Sequence, residues 1–176
     1  MSTDDLTEVR DKIELGELVA TISRGVDRAD FDVIASCYTD DSIDYHGAFT
    51  GTGREFADYI CHQSPVSSKA RFLHHSLAQS IFTVDGDRAF GETYFDFHMQ
   101  IEPGTLFEGV GRYVDEFART DGKWLLKVRR VVTEWTGTHQ VTTLGPGEQD
   151  ISGTRDRTDP LYLYGGVPET AQAPAQ

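Results

Sequence analysis

Residues 85–104 read DGDRAFGETYFDFHMQIEPG and enclose one long extended segment between two turns. The turns Asp85-Gly86-Asp87 and Glu102-Pro103-Gly104 favour hairpin connections, because glycine permits a positive φ and proline presets one turn angle. Between them, residues 88–101 alternate polar with aromatic and aliphatic side chains, the period of a β-strand. The stretch therefore predicts one strand of an antiparallel meander.

The same period of two continues on both sides of this stretch. Residues 71–84, 88–101, 106–119 and 123–136 are predicted as four long strands, the last two joined by a turn at Thr120-Asp121-Gly122. Before Pro65 the period is instead 3.6, and the first 30 residues are predicted as a helix. The apolar stripe of that helix consists of Leu15, Leu18, Ile22 and Val26.

Shorter elements fill the region between this helix and the meander. A second helix is expected to carry Phe31 to Tyr38, followed by a short strand from Ser42 to His46 and a glycine-rich segment, residues 47–53. A third helix is expected from about Arg54 to His62. Helices followed by a curled antiparallel meander indicate the α+β class, with the helices on one side of the sheet.

The domain organisation follows from a change in composition near residue 140. Residues 1–140 are predicted to form a single domain. Residues 141–176 are rich in Gly, Pro, Thr, Asp and Gln, and we expect a C-terminal extension that is partly ordered and then disordered over the last eight residues. Leu161-Tyr162-Leu163-Tyr164 is its candidate docking segment.

Composition excludes several function classes. The chain has 176 residues and a formal net charge of -13, which opposes binding to nucleic acid because phosphate contacts need a basic surface. Its apolar runs are too short to cross a bilayer, so no membrane partner is expected. Two cysteines, Cys37 and Cys61, do not make a disulfide framework, and we expect free thiols in a cytoplasmic protein.

Familiar catalytic signatures are absent from the sequence. It contains no dinucleotide fingerprint, phosphate loop, nucleophile elbow or cysteine pair at zinc spacing. His74 and His75 are adjacent on a predicted strand, so they point to opposite faces and cannot both bind one ion. We therefore expect no metal site.

The predicted strands carry a more informative pattern. Residues 71–84 place His75, Leu77 and Gln79 on one face, and residues 88–101 place Glu92, Tyr94, Asp96 and His98 on one face. Neither sheet face is wholly apolar or wholly charged, as a simple half-buried sheet would be. A mixed inner face is typical of a small-molecule cavity that contains a few polar groups.

Each candidate residue also has an ordinary structural explanation. Asp27 is suited to a helix end, and a single histidine such as His75 is more often a core residue with satisfied hydrogen bonds. Tyr94 is compatible with a solvent-facing strand position, and Arg129 with a surface ion pair of little energetic value. The functional interpretation rests on the joint arrangement of these residues.

That arrangement resembles a known family. Residues 26–32 (VDRADFD) followed by 38–41 (YTDD) are similar to the first helical pair of the SnoaL-like branch of the nuclear-transport-factor-2-like superfamily. His74-His75 before Gln79, and residues 111–117 (GRYVDEF) followed by 121–124 (DGKW), resemble its histidine-containing strand and its closing hairpin. The resemblance spans roughly Leu6 to Trp135.

The resemblance implies a cone-shaped fold, in which a curved antiparallel sheet wraps around the N-terminal helices and leaves a deep pocket at one end. It also implies cofactor-free lyase chemistry, as in the scytalone dehydratase, lindane dehydrochlorinase and bile-acid dehydratase group, with polyketide cyclases and ketosteroid isomerases using related pockets. The catalytic Asp–His pair of that group corresponds to Asp27 and His75, with Asp40 at the matching downstream spacing, and its pocket arginine to Arg129.

The sequence departs from this family at two positions. Ile22 occupies the position, five residues before the acid, where dehydratases of the group often carry Tyr and the dehalogenating relative carries Lys. Candidates to assist the leaving group in its place are Tyr45, His46, Tyr94 and Tyr113. Gln79 stands where relatives commonly have Asn, which is a milder change.

The chemistry of these residue types agrees with the resemblance. An imidazole has an unperturbed pKa near 6.5 and can accept a proton from carbon at neutral pH, while a carboxylate on its other nitrogen fixes the tautomer. We therefore expect a dehydratase-like lyase that acts on an apolar ring-containing compound of steroid or polyketide type. An isomerase or cyclase using the same pair, and a non-catalytic binding or assembly module, remain the alternatives.

The quaternary structure is predicted from the resemblance alone. It implies a homo-oligomer, with a trimer favoured and a dimer as the alternative. Phe95, Phe97, Met99 and Ile101 form an apolar strip on one strand that suits either such an interface or the core.

Overall fold

In the computed structural model, which describes residues 3–142 and 149–164, two helices precede a six-stranded sheet and a third lies between its second and third strands. The helices are α1 (Thr3–Arg28), α2 (Phe31–Ser36) and α3 (Gly53–Asp58), and a one-turn helix α4 (Pro160–Leu163) follows the sheet. The strands are β1 (Tyr38–His46), β2 (Phe49–Gly51), β3 (Phe72–Asp85), β4 (Arg88–Gln100), β5 (Thr105–Thr120) and β6 (Lys123–Gln140). The predicted α+β class is confirmed.

The sheet has the order β2-β1-β6-β5-β4-β3. Strands β3 to β6 form the predicted antiparallel meander, and β1 joins the far side of β6 in parallel. The consequence is that β1 and β3 lie on opposite sides of the curved sheet. Both cysteines are free, as expected.

Helix α1 packs against the inner face of the sheet. Leu15, Val19 and Ile22 are almost completely buried, and together with Phe95, Phe117 and Leu126 they form part of one continuous core. Because Ile22 belongs to this core, the position where relatives carry a polar side chain contributes packing in this protein.

The predicted boundaries of the second helix, the first strand and the third helix are wrong. Tyr38 begins β1 rather than ending α2, because α2 stops at Ser36 and the Tyr38 hydroxyl donates a hydrogen bond to the buried Asp44 carboxylate at 2.6 Å. The glycine-rich segment contains β2, and the third predicted helix changes at Tyr59 into a π-helical turn that ends at Gln63. The predicted disorder at the C-terminus lies outside the described residues.

Several register shifts bend the sheet, and they reverse some of the predicted faces. In β3, the register moves by one residue between Leu77 and Ser80, so residues after Leu77 exchange faces. Phe82 therefore packs in the core, whereas Ile81, predicted to share a face with His75, is exposed. In β6, similar shifts lie between Leu126 and Val128 and between Thr133 and Trp135.

The entry to α3 depends on close contact between Gly53 and Tyr38. Thr52 and Glu55 form a reciprocal capping box, and the Gly53 N–H donates to Ser42 Oγ at 2.9 Å. A Cβ atom at Gly53 would lie 2.0 Å from the Tyr38 ring, which is an impossible separation. Glycine is therefore required there by the ring and not by a special backbone angle.

This contact predicts opposite effects for two glycine-to-alanine substitutions. Gly53→Ala should lower the free energy of unfolding by about 1–3 kcal/mol, because the Tyr38 ring must move within a packed core. Gly16→Ala, in the middle of α1 with open space around its Cβ position, should raise it by about 0.5–1 kcal/mol. Urea unfolding followed by circular dichroism measures both, and equal effects would contradict the packing argument.

Candidate active site

Asp27 and His75 form a hydrogen-bonded pair where the last turn of α1 meets β3. His75 Nδ1 lies 2.6 Å from Asp27 Oδ1, and the backbone N–H of His75 donates to Asp27 Oδ2 at 3.0 Å. Both oxygens of the Asp27 carboxylate thus contact His75, and the two contacts fix the position and orientation of the imidazole. Nδ1 is committed to Asp27, so Nε2 is the ring nitrogen left for a ligand.

The position of β3 at the edge of the sheet explains this geometry. In the part of the chain that the structure describes, no strand pairs with the outer side of β3, so the outward N–H of His75 needs another acceptor. Asp27 supplies it from the helix end. The side chains of His75 and Asp27 are only 9% and 10% exposed, so bulk water competes little for this contact.

A cavity of about 380 Å³ opens next to His75. Its walls are largely apolar, and the His75 ring lies among aromatic side chains, with ring centres 6.1 Å from Phe95 and 6.0 Å from Phe97. Apolar lining residues are Val26, Ile60, Val66, Leu73, Phe95, Phe97, Met99, Phe107 and Val131. This volume and lining are typical of a site for a small apolar ligand.

A second imidazole, that of His46 at the end of β1, lines the same cavity. His46 Nδ1 lies 3.4 Å from Oδ1 of Asp44, a carboxylate with no solvent exposure, and the ring stacks on Phe56 at 4.7 Å between centres. Because β1 and β3 lie on opposite sides of the sheet, the cavity has one histidine from each side.

Tyr113 also lines the cavity, from β5. Its ring stacks on Phe95 with centres 4.3 Å apart. Burial raises the pKa of the Tyr113 phenol, and the nearby Arg129 charge opposes only part of the rise. The hydroxyl is therefore a neutral hydrogen-bond donor across the physiological range.

Arg129 occupies a different position from the one predicted. Instead of lining the cavity, its guanidinium makes two hydrogen bonds to Asp115, at 2.9 and 2.7 Å, and lies 3.9 Å from the Tyr113 ring centre. Burial opposes its charge, but Asp115 outweighs burial and holds the pKa of Arg129 above its usual range. Arg129 is thus a buried structural cation that contacts the cavity wall through Tyr113.

Three other predicted site residues lie away from the cavity. Gln79 is exposed because the register shift after Leu77 turns it to the outer face of β3. Tyr94 alternates with Phe95 and is therefore also on the outer face. Tyr45 alternates with His46 and points outward beneath the Arg130 guanidinium.

Asp40 lies outside the cavity, and the apolar strip takes the second of its two predicted roles, as part of the core. Asp40 is exposed on β1 and takes no part in the site. Phe95, Phe97 and Met99 line the cavity and Ile101 packs against the core, so this strip is not an intermolecular surface.

Sequence reasoning named His46 and Arg129 but missed their acidic partners, Asp44 and Asp115. Asp44 and His46 are two residues apart on a strand, and this spacing alone was a signal that they share a face. By contrast, Asp115 is recognisable as the partner of Arg129 only from the register of β5 and β6. Among the described residues, no group of three or more histidine, cysteine or acidic side chains is placed to hold a metal ion.

Comparison with known proteins identifies the family. The sequence profile of the SnoaL-like domain matches residues 7–130. No curated protein matches the sequence.

No helix of residues 3–142 and 149–164 is long and apolar enough to cross a bilayer.

Several solved structures share the fold. The LinA-type3 hexachlorocyclohexane dehydrochlorinase of Novosphingobium barchaimii is 19% identical with a TM-score of 0.72, covering 81% of this chain and 99% of that one. A protein designated a candidate scytalone dehydratase, from Novosphingobium aromaticivorans, is 19% identical with a TM-score of 0.64, covering 85% and 99%. Kfla4162 of Kribbella flavida is 18% identical with a TM-score of 0.65, covering 74% and 95%. At such identities these similarities show the fold alone.

The buried pair beneath Tyr113 predicts a large effect on stability. Asp115→Asn leaves the Arg129 charge buried without a counter-ion and should lower the free energy of unfolding by about 3–5 kcal/mol. Lys127→Gln, which removes an exposed pair with Asp41 at 2.7 Å, is the control and should change it by about 0–1 kcal/mol. Chemical denaturation measures both, and an Asp115→Asn effect no larger than the control would contradict the structural role of the pair.

Proposed function

The chain belongs to the SnoaL-like domain family, and from this membership we propose that it is a lyase of the dehydratase type that works without a cofactor. The single observation that carries the proposal is the 2.6 Å contact between Asp27 and His75 beside an apolar cavity. A protein that only binds a ligand has no need of a carboxylate that orients an imidazole at its cavity. This contact therefore favours an enzyme over a binding or assembly module.

His75 is the proposed base. Its Nε2 removes a proton from a carbon of the substrate, while Asp27 holds the tautomer that carries the proton on Nδ1 and stabilises the imidazolium that forms. The electron pair of the broken C–H bond becomes the new C=C bond. The leaving group departs with the electrons of its own bond, and the later release of the proton from Nε2 restores the base.

A leaving group on oxygen needs a proton of its own. His46 is the proposed proton donor, and the neutral Tyr113 hydroxyl is proposed to donate a hydrogen bond to the departing oxygen. Both line the cavity, and His46 comes from the side of the sheet opposite His75. A substrate held between the two histidines would thus have its acidic carbon and its leaving group near different imidazoles. In this proposal, His46 and Tyr113 assist the leaving group. In relatives, a polar side chain at the position of Ile22 would do so.

The substrate is proposed to be an apolar compound that contains a ring. The aromatic side chains Phe95, Phe97 and Phe107 supply flat, apolar contact surface, and the described lining contains no acidic, lysine or arginine side chain to bind a charged molecule. Steroid and polyketide types are the proposed classes. Thermal-shift screening with steroid, aromatic and halogenated compounds will identify ligands, because binding to the native state raises the unfolding temperature.

The second candidate function is an isomerase or cyclase that uses the same pair. The observation that favours it is the neutral phenol of Tyr113 at the cavity, because such a donor stabilises an enolate oxygen without losing its own proton. Product analysis separates the two functions. A lyase releases water or HX, whereas an isomerase returns a product of unchanged mass.

A homo-oligomer, with the trimer favoured, remains part of the proposal. The outer face of the sheet supports it, since Tyr94, Val110 and Trp135 are exposed there and Val110 pairs across strands with Trp135. Sedimentation at several protein concentrations gives the number of subunits. Trp135→Glu should shift the equilibrium toward monomer if this face joins the subunits.

The proposed base predicts two different losses of activity. His75→Gln removes the proton acceptor and should lower kcat on the substrate found by screening by about 100- to 10,000-fold. Asp27→Asn retains the size of the side chain but no longer holds the required tautomer, and a loss of up to about 10,000-fold is expected. Steady-state kinetics measure kcat of each variant, and circular dichroism checks that each variant is folded. A folded His75→Gln variant with wild-type turnover would contradict the proposal.

The proposed acid predicts an effect that depends on the leaving group. His46→Gln should lower the elimination of water by about 100-fold and have little effect on the elimination of chloride from a matched substrate, because chloride leaves without a proton. The control is Tyr45→Phe on the outward face of the same strand, which should leave both rates unchanged. Equal losses with both substrates would show that His46 is not the acid.

A further inference from the structure

The C-terminal segment, residues 149–164, returns to the end of α1 that carries Asp27. It lies beyond residues 7–130, the part of the chain that matches the family. The Arg155 guanidinium is its central contact and donates to four backbone carbonyls. Nε donates to Asp27 O at 3.0 Å, Nη2 to Val26 O at 2.9 Å, and Nη1 to both Ser67 O and Ala70 O, the latter at 3.5 Å.

The first two carbonyls belong to the last turn of α1. Carbonyls at a helix C-terminus have no partner within the helix, and a cation there interacts favourably with the helix dipole. The chain leaves α1 through Ala29, whose φ of 52° is left-handed and unusual for a residue with a side chain. Arg155 therefore holds the backbone of Asp27 directly, at the point where the helix ends abruptly.

The other two carbonyls belong to the segment that connects α3 with β3. Ser64, Val66 and Ser67 of this segment line the cavity, and so does Val26 from α1. One guanidinium thus joins two walls of the cavity. The planar fork of arginine suits this task, because its nitrogens donate in fixed directions, whereas a lysine has a single donor nitrogen.

Neighbouring contacts hold the segment in place. Asp159 is buried, its Oδ2 accepts from the Thr154 N–H at 2.9 Å, and it pairs with Arg28 at 3.3 Å. Asp30, which caps α2, accepts from the Tyr162 hydroxyl at 2.5 Å and from Arg157 at 3.1 Å. Residues of the C-terminal segment thus contact the turn between α1 and α2.

We propose that Arg155 is a positioning residue for the Asp27–His75 pair. The inference rests on the proposed function, since it assigns to Arg155 the task of keeping the orienting carboxylate in place. His75 holds the side chain of Asp27 from the sheet, and Arg155 holds its backbone carbonyl from the C-terminal segment. Without Arg155, Asp27 depends on the helix end alone, and a shift of about 1 Å is enough to cost on the order of 100-fold in rate.

The test uses the full-length chain and a readout that does not require turnover. In protein with ¹⁵N-labelled histidine, the Nδ1 proton that His75 shares with Asp27 gives a downfield NMR signal, assigned by its loss in His75→Gln. Arg155→Gln should abolish this signal or remove its protection from exchange with water. Arg155→Lys retains the charge but has one nitrogen for four carbonyls, and should weaken the signal.

Arg157→Gln is the matched control. It removes a cation from the same segment that contacts Asp30 rather than Asp27, and the signal should persist. Once a substrate is known, Arg155→Gln should lower kcat by about 10- to 100-fold with little change in KM, because placement of the pair and not substrate binding is affected. If Arg155→Gln does not fold by circular dichroism, Arg155→Lys decides in the same way.

The outcomes separate this inference from the proposed function. A signal that is equally strong in the Arg155 variants and in Arg157→Gln overturns the positioning role, even if the unfolding temperature falls. A wild-type protein without the signal overturns the pair itself, and the inference with it. Loss of the signal in Arg155→Gln, together with failure of every tested substrate, leaves the positioning role supported and the lyase proposal contradicted.

Discussion

The Asp27 carboxylate joins the end of α1 to the edge of the sheet, and the rest of the site depends on this contact. An edge strand exposes backbone N–H groups without partners, and here one carboxylate accepts both the N–H and the ring nitrogen of His75. Because both donors belong to one residue, the helix end and the strand are held at one relative position. The same contact that completes the backbone hydrogen bonding also orients the imidazole.

Buried polar side chains lie behind the wall of the cavity and contact one another. Arg129 and Asp115 neutralise each other, and Asp44 is approached by Tyr38 and His46. Buried charges are tolerated only when paired, so these contacts leave an apolar surface above them. The mixed character of the predicted strand faces therefore has three sources: the polar groups that line the cavity, the buried polar side chains behind its wall, and the register shifts that exchange faces.

The fold was largely predictable because it depends on local signals. The turns at Gly86, Pro103 and Gly122 and the change of period near Pro65 indicate the meander and the helices without any knowledge of contacts. Asp27 and His75 were implied by the resemblance of the chain's motifs to the SnoaL-like family. Gln79 was misplaced because a register shift reverses every later face, and such a shift leaves no mark in the alternation of residues.

By itself, the sequence determined the α+β class, the long strands and their turns, because these follow from short-range periodicity. The two residues that meet at the helix end were implied by the resemblance to the SnoaL-like family. Only the tertiary structure decided which polar side chains face the cavity. It assigned Arg129 to Asp115, turned Tyr45 and Tyr94 outward, and brought Arg155 to the carbonyl of Asp27 across 128 positions of the chain. The physical reason is that pairing between distant strands and segments depends on register and packing, which are properties of the whole folded chain.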